Sequence, residues 1–316
     1  MKVIIDPIEK DVLLAELSPD KFIRDTNNGD NKIYIITHHD SPNVMLEIGR
    51  LREVTFRAAG GGTGKEIDID EYDITDNAPY KQLVVWNPLE QEIVGGYRYI
   101  KGKDAHVENG VIQLATTELY NFSEKFIKEY LPYTIELGRS FVQPKFQPSL
   151  DNRKGLFSLD NLWDGLGAII VDNPDVLYFW GKVTMYLDYN VHARDLILSF
   201  MNFYFPDKEN LVVPIKPVQI KNDMSAFLKS LEGLEYKEGH RLLNQNVRAL
   251  AENIPPLVNA YMNLSSTMRT FGTTLNDHFG EVEETGIMVT FADIYHTKKE
   301  RHIDTYIPKK NNIVGL

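Results

Sequence analysis

Glu136-Leu137-Gly138-Arg139 sits inside Tyr133 to Val142, a segment that reads as a β-strand. A glycine inside a strand marks a bulge or the close approach of another backbone. Glu136 and Arg139 stand three residues apart. On a regular strand side chains alternate faces, so the two would point opposite ways. A bulge at Gly138 adds one residue to the register and can bring them to one side. Arg98 poses the same question, because it lies in the otherwise apolar strand Val94-Gly95-Gly96-Tyr97-Arg98-Tyr99-Ile100. Asp70 and Asp73 fall in Asp70-Glu71-Tyr72-Asp73, just ahead of a strand, and Arg52 and Phe56 lie one turn apart on a helix. Charged groups inside core elements predict a buried ion network. Such a network either braces the sheet or marks a site, and spacing alone leaves both open.

Working outward, Lys32 to Thr37 reads as a strand. Ser41-Pro42 supplies an N-cap and a proline at the first helical position. The helix they open runs to about Arg57 and is broken by Gly60-Gly61-Gly62-Thr63-Gly64-Lys65. Gln82 to Trp86 and Glu92 to Ile100 form a hairpin around Asn87-Pro88-Leu89-Glu90. Thr117 to Tyr130 reads as helical, Ser158 to Val171 as a helix capped by Ser158, and Val176 to Leu187 as a strand. Helices over Val191 to Phe205 and Tyr236 to Asn253 flank a connector holding Pro206, Pro214 and Pro217. A short helix from Pro256 to Ser265 and a strand from Gly286 to Ile294 complete the pattern. Strands interleaved with helices predict a layered α/β fold with a mixed sheet. With no repeat, linker or low-complexity tract, residues 1–316 read as a single domain with a helical elaboration at about 190–253.

Composition narrows the function. The 316 residues are 43% hydrophobic, enough for a substantial core. The absence of cysteine excludes disulfides, thiolate nucleophiles and cysteine–zinc sites, and suits a reducing, cytoplasmic compartment. A net charge of −11 opposes nucleic-acid binding. The basic run Lys298-Lys299-Glu300-Arg301-His302 reads as a solvated surface. The N-terminus lacks the apolar stretch of a signal peptide. No segment approaches the roughly 18 apolar residues of a spanning helix. Gly60 to Lys65 is no P-loop, because Lys65 is followed by Glu66 and the segment follows a helix. His38 and His39 are adjacent and point apart, so no metal site is expected. Ser140 has no positioned histidine for a catalytic triad.

Arg52-Glu53-Val54-Thr55-Phe56, Asp70-Glu71-Tyr72-Asp73, Gly95-Gly96-Tyr97-Arg98 and Glu136-Leu137-Gly138-Arg139-Ser140 follow one another in that order. The set resembles the signature of aminolipid N-acyltransferases, which make lyso-ornithine or N-acylglycine lipids, and of the related acyl-homoserine-lactone synthases. Leu162-Trp163-Asp164-Gly165-Leu166, Trp180-Gly181, Ile254-Pro255-Pro256-Leu257 through Tyr261, and Asn276-Asp277-His278-Phe279 extend the resemblance over residues 46–294. Two places depart from it. Asn259 stands where these proteins often carry a basic residue, and Met262-Asn263-Leu264-Ser265 where they often carry Leu-Gly.

The resemblance implies a GNAT fold: a mixed, mostly antiparallel twisted sheet flanked by helices, with a bulged, splayed central strand pair. It implies transfer of a (3-hydroxy)fatty acyl group to the amine of glycine or ornithine, the first step of aminolipid synthesis. The donor would be the phosphopantetheine thioester of an acyl carrier protein, or else acyl-CoA, with no permanently bound cofactor. A signal synthase of the acyl-homoserine-lactone type and an acyl-CoA-dependent N-acetyltransferase are the alternatives. Glu136 would be the base, while Arg98 and Arg139 hold it and the acceptor's carboxylate. Arg52 and Phe56 would shape the substrate site. Asp70 and Asp73 would order a lid, bind the acceptor's ammonium, or merely cap a turn. Backbone groups of Phe141 and Val142, against Tyr178 to Trp180, would polarise the thioester. Arg153-Lys154-Gly155, ahead of Ser158, looks like a reduced pyrophosphate loop at a helix N-terminus. Tyr178 is the candidate to protonate the leaving thiolate. A lipid product would suit peripheral contact with the inner face of the membrane through Leu196 to Phe205, although core packing is the favoured role for that segment.

Overall fold

The computed structural model describes residues 1–108, 111–148 and 153–308. Eight strands form one sheet: β1 (Phe22–Asp25), β2 (Lys32–Ile36), β3 (Lys81–Asn87), β4 (Glu92–Lys101), β5 (Thr134–Val142), β6 (Tyr178–Met185), β7 (Arg269–Asn276) and β8 (Val282–Thr290). Their order across the sheet is β1-β2-β3-β4-β5-β6-β8-β7. Every neighbouring pair is antiparallel except β5 and β6, which run parallel.

Alternation along β3 assigns the two faces. Val84 and Trp86 are buried with Val44, Met45, Ile48 and Leu51 of the helix Pro42–Ala58. Leu83 and Val85 are buried in the larger core on the opposite side. That core takes in helices over Ser158–Asp172 and Val191–Tyr204. The sheet is therefore a middle layer between helices, as the mixed α/β pattern predicts.

Taking the helices in chain order, α1 spans Lys10–Glu16 and α2 spans Pro42–Ala58. Pro42 opens α2 as expected, but Ser41 makes no capping bond. The Glu16 carboxylate of α1 caps it instead, accepting from Asn43 N at 3.1 Å and Val44 N at 2.8 Å. The α2 C-terminus runs into the glycine loop, where Gly60 and Gly62 hold φ of +92° and +94°. Glu53 ties that loop back by accepting from Thr63 N and Gly64 N.

A four-residue helix α3 (Glu71–Ile74) precedes β3. Downstream lie α4 (Ser158–Asp172), α5 (Val191–Tyr204), α6 (Ser225–Leu231), α7 (Tyr236–Ala249), α8 (Pro256–Met262) and α9 (His296–His302). Thus α5, α6 and α7 occupy the 190–253 segment, and α6 interrupts the proline-rich connector.

Several expectations fail for identifiable reasons. No long helix covers Thr117 to Tyr130. Tyr120–Phe122 is a short strand paired to Val212–Pro214, and helix in this stretch is confined to residues 124–130. Tyr120, Phe122 and Phe126 all pack edge-on around Trp180, at 5.6, 5.6 and 5.8 Å between ring centres. That aromatic burial outweighs local helix preference. β7 escapes sequence reading because Gly272, at φ +80°, breaks its alternation. The last strand is Val282–Thr290, earlier than the expected 286–294. Leu196, Ile197, Leu198, Phe200 and Met201 are buried in the main core, so this stretch has no continuous apolar face to give a membrane. Among the described residues no helix is long and apolar enough to cross one.

Gly155 follows β5 in the short helical turn Arg153–Phe157 that leads into α4. A Cβ there would lie 2.5 Å from the Phe146 carbonyl oxygen and 2.4 Å from the Gln147 carbonyl carbon. Gly155→Ala should therefore destabilise the chain by about 1–3 kcal/mol, read as a lowered urea midpoint. An unchanged midpoint would show that this turn yields freely.

Candidate active site

β5 and β6 are joined by only three parallel pairs, Thr134↔Tyr178, Ile135↔Phe179 and Glu136↔Trp180. Beyond Glu136 they part. The cause lies on the other edge of β5, where Gly96 pairs with Phe141 and Arg98 with Gly138. β5 thus spends three steps where β4 spends two, which makes a bulge. Arg139 carries it, with φ +48°. A non-glycine residue in that region is strained and persists only where its surroundings hold it. The expected bulge is present, one residue later than Gly138. The part played by Gly138 is close approach, since a Cβ there would sit 3.3 Å from Arg98 Nε.

The parting leaves a slot. Leu137, Gly138, Arg139 and Ser140 line one side and Gly181, Lys182 and Thr184 the other, with Phe56, Tyr97, Tyr261 and Phe279 closing it. Phe141 and Val142 are paired to Gly96 and Gly95, and Tyr178 to Trp180 are paired to Thr134 to Glu136. The residues lining the opening are 137–140 with Gly181, Lys182 and Thr184; Phe141, Val142 and Tyr178 to Trp180 are not in that lining. Tyr178 belongs to the closed end, packed 5.4 Å from the Tyr130 ring, so it is not a slot residue. The tyrosines that border the slot are Tyr97 and Tyr261, with hydroxyls 3.5 Å apart.

Beside the slot lies the predicted ion network. Arg52, fully buried, donates to Asp73 at 3.0 Å, Gln82 at 2.5 Å and the Asp68 carbonyl at 3.3 Å. Arg98 donates to both Asp70 oxygens at 2.7 Å and to Asp73 at 3.3 Å, and lies over the Tyr80 ring at 5.1 Å. Arg139 donates to Asp68 at 3.1 Å and stacks 4.5 Å from the centre of the Phe279 ring. Asp70 and Asp73 also form a capping box on α3, accepting from Tyr72 N and Asp70 N. Two of the expected roles, turn cap and ion partner, thus coexist. Phe56 is a wall, edge-on to Phe279 at 4.9 Å. Asp68 escaped the sequence reading, although Ile67-Asp68-Ile69-Asp70 alternates as a half-buried segment does.

Two carboxyls in this network titrate in opposite directions. Burial would raise Asp73, but Arg52 and Arg98 together overcome it and hold the group at about 2. Glu136 is equally buried, at 1% exposed. Burial pushes it up to about 7, and Arg98 with the Tyr80 and Thr116 hydroxyls offset only part of that rise. Its Oε2 has no hydrogen-bond partner among the described residues. A carboxyl poised near neutrality with a free lone pair is suited to take a proton.

Lys182 was missed, although a lysine inside the apolar strand Tyr178–Met185 is the same kind of signal as Arg98. It pairs with Glu284 of β8. Glu284 also accepts from Asn276 at 3.1 Å and Thr184 at 3.3 Å. Arg139, Lys182 and Phe279 border both the slot and a second space of about 230 Å³ lined by Asp68, Asp70, Arg98 and Glu118. A larger cavity of about 700 Å³, by Lys81, Tyr99 and Asp172, contains none of these groups. The side chains of Arg153 and Lys154 lie outside the described residues, so that expected phosphate loop is described by its backbone, the turn Arg153–Phe157.

Residues 51–151 match the acetyltransferase (GNAT) domain family. Glycine N(alpha)-acyltransferase of Phocaeicola vulgatus is 57% identical over 312 residues, covering 97% of this chain and 94% of that protein. The chain belongs to the glycine N(alpha)-acyltransferase family. The Bacteroides thetaiotaomicron member is 54% identical over 308 residues, covering 97% and 91%. The protein is therefore an acyltransferase with a GNAT fold, as its motifs imply. Among solved structures, a CoA-dependent acyl-homoserine lactone synthase with SAM and isopentyl-CoA aligns over 86% of this chain and 87% of its own, with 12% identity and a TM-score of 0.37. The acyl-homoserine-lactone synthase LasI aligns over 89% and 98%, with 10% identity and a TM-score of 0.40.

Proposed function

We propose that this acyltransferase moves a fatty acyl group from the phosphopantetheine thioester of an acyl carrier protein to the amine of glycine. The product would be an N-acylglycine, the first intermediate of an aminolipid. The observation that carries this reading is Glu136, a buried carboxyl with one unpartnered oxygen at the last rung before β5 and β6 part. The relatives' name supports glycine as the acceptor.

The pantetheine arm enters the slot and brings its thioester to the bulge at Gly138 to Ser140. Glycine occupies the charged space beyond Arg139, its carboxylate on that guanidinium. Its ammonium loses a proton to Glu136, directly or through one water, because only the neutral amine attacks. Nitrogen bonds to the thioester carbon and the carbon–sulfur bond breaks. The thiolate takes the proton of Tyr261, which borders the slot and is held protonated by burial, as Tyr261 takes the second proton of the newly bonded nitrogen, and Glu136 returns the first to solvent. Arg98 steadies the ionised Glu136, while Arg52, Asp68, Asp70 and Asp73 hold both arginines in place. Arg153, Lys154 and Gly155 remain the proposed seat of the donor phosphate, at the entry to α4.

The test incubates the purified chain with a 3-hydroxyacyl carrier protein and a pool of amino acids including glycine and ornithine. Mass spectrometry should find N-acylglycine. Exclusive acylation of another amine would overturn the acceptor, and faster turnover of acyl-CoA would overturn the donor.

A further inference from the structure

We propose that Lys182 binds the carboxylate of the amino-acid acceptor, sharing it with Arg139 where the slot meets the charged space. The inference rests on the acyl-transfer reading above and adds a residue that the motifs did not supply.

Position is the first argument. An acceptor must reach the slot with its amine while its other end stays in the charged space. Arg139, Lys182 and Phe279 are common to both linings, and two of the three are cations. A small amino acid crossing there meets both positive groups at once.

Hydrogen-bond capacity is the second. An ammonium has three N–H donors. Among the described residues the hydrogen-bond partner of Lys182 is Glu284, which leaves donors for a ligand. Glu284 keeps Asn276 and Thr184 if Lys182 swings toward substrate. Arg52 and Arg98 differ in already holding carboxylates, Arg52 through Asp73 beside Gln82 and the Asp68 carbonyl, and Arg98 through Asp70 and Asp73, although each keeps an unpartnered Nε among the described residues.

Charge is the third. Burial lowers the Lys182 pKa, and the positive charges of Arg139 and Arg98 lower it further against the pull of Glu284. Cations held near one another away from water repel, and an anion placed between them relieves that repulsion. An acceptor carboxylate is such an anion.

The competing role for Lys182 is purely structural, as the partner of Glu284. The two separate on acceptor choice. Glycine and glycinamide present the same kind of amine, and only glycine has the carboxylate. With saturating acyl donor, Lys182→Met should raise KM for glycine about 30-fold, the scale of a lost charge-assisted hydrogen bond. Turnover number and glycinamide use should change little, so the preference for glycine falls by that factor. Lys182→Arg should restore part of it. Lys182→Met alone leaves Glu284 buried and unpaired, so Lys182→Met with Glu284→Gln is measured beside it and should show the same loss. A folded variant that keeps the wild-type preference overturns the proposal. A wild-type protein that acylates neither amine overturns the acyl-transfer reading itself, and this inference with it.

Discussion

Glu136→Gln is expected to lower turnover by about 10²–10⁴-fold, the usual contribution of a positioned general base. The change keeps the side-chain volume, so the fold should persist. Stability should move the other way. A buried carboxyl raised to about 7 favours the folded chain while protonated, an advantage fully present below the ordinary glutamate value of 4.5. It is lost as pH climbs through about 7, where folding must carry a buried negative charge. At pH 8 that ionisation costs on the order of 3 kcal/mol. Glu136→Gln should therefore match wild type at pH 5 and exceed it at pH 8 in urea melts, while being nearly inactive at both. The wild-type rate should rise with pH through about 7 as the base ionises. A variant that retains its rate would remove Glu136 from the chemistry. One that is less stable at pH 8 would make it a structural partner of Arg98.

Arg52→Ala is expected to destabilise the chain by about 3–5 kcal/mol, the scale for removing one member of a buried ion pair. Its neighbours explain why. Arg52 is fully buried and bridges Asp73 of α3, Gln82 of β3 and the Asp68 carbonyl. Without it the cation left in contact with Asp73 is Arg98, at 3.3 Å, beside the Gln82 amide and Asp70 N. Asp73 is held below its ordinary value, so it stabilises the fold above about pH 3.8, and that stabilisation drains away as pH falls toward about 2. In Arg52→Ala that stabilisation should be smaller and should be exhausted at a higher pH. Adding Asp73→Asn removes the orphaned charge and should recover part of the loss, seen as a rise in urea midpoint over the single variant. A double variant no better than the single would mean that packing, rather than charge, makes Arg52 necessary.

The sequence exposes charged residues in apolar surroundings, and this made most of the site legible. Arg52, Arg98, Glu136 and Arg139 stand out because a strand or helix core tolerates a charge only when it is partnered. The same test applied to Tyr178–Met185 would have found Lys182. It would not have found Glu284, because Glu283 and Glu284 are adjacent and only the pairing of β8 with β6 decides which one faces the slot. Strands with clean alternation, such as Lys32–Ile36, were legible. Arg269–Asn276 was not, because a bulge at Gly272 breaks its period.

Glu136-Leu137-Gly138-Arg139 by itself determines that a bulged strand carries two opposite charges, and its companion motifs determine the family. Those are local facts, set by which residue types a strand can bury. Tertiary structure alone decides where the slot opens. That depends on where the β5–β6 ladder stops, and the stop is imposed by the mismatch of β5 with β4 on its other edge. It also decides that Arg139 rather than Gly138 takes the strained turn, held there by Asp68 and Phe279. And it separates Glu136 from Asp73 as acids. Both are buried carboxyls near Arg98; Arg52 arriving from α2 joins Arg98 in holding Asp73 charged, while burial leaves Glu136 near neutrality.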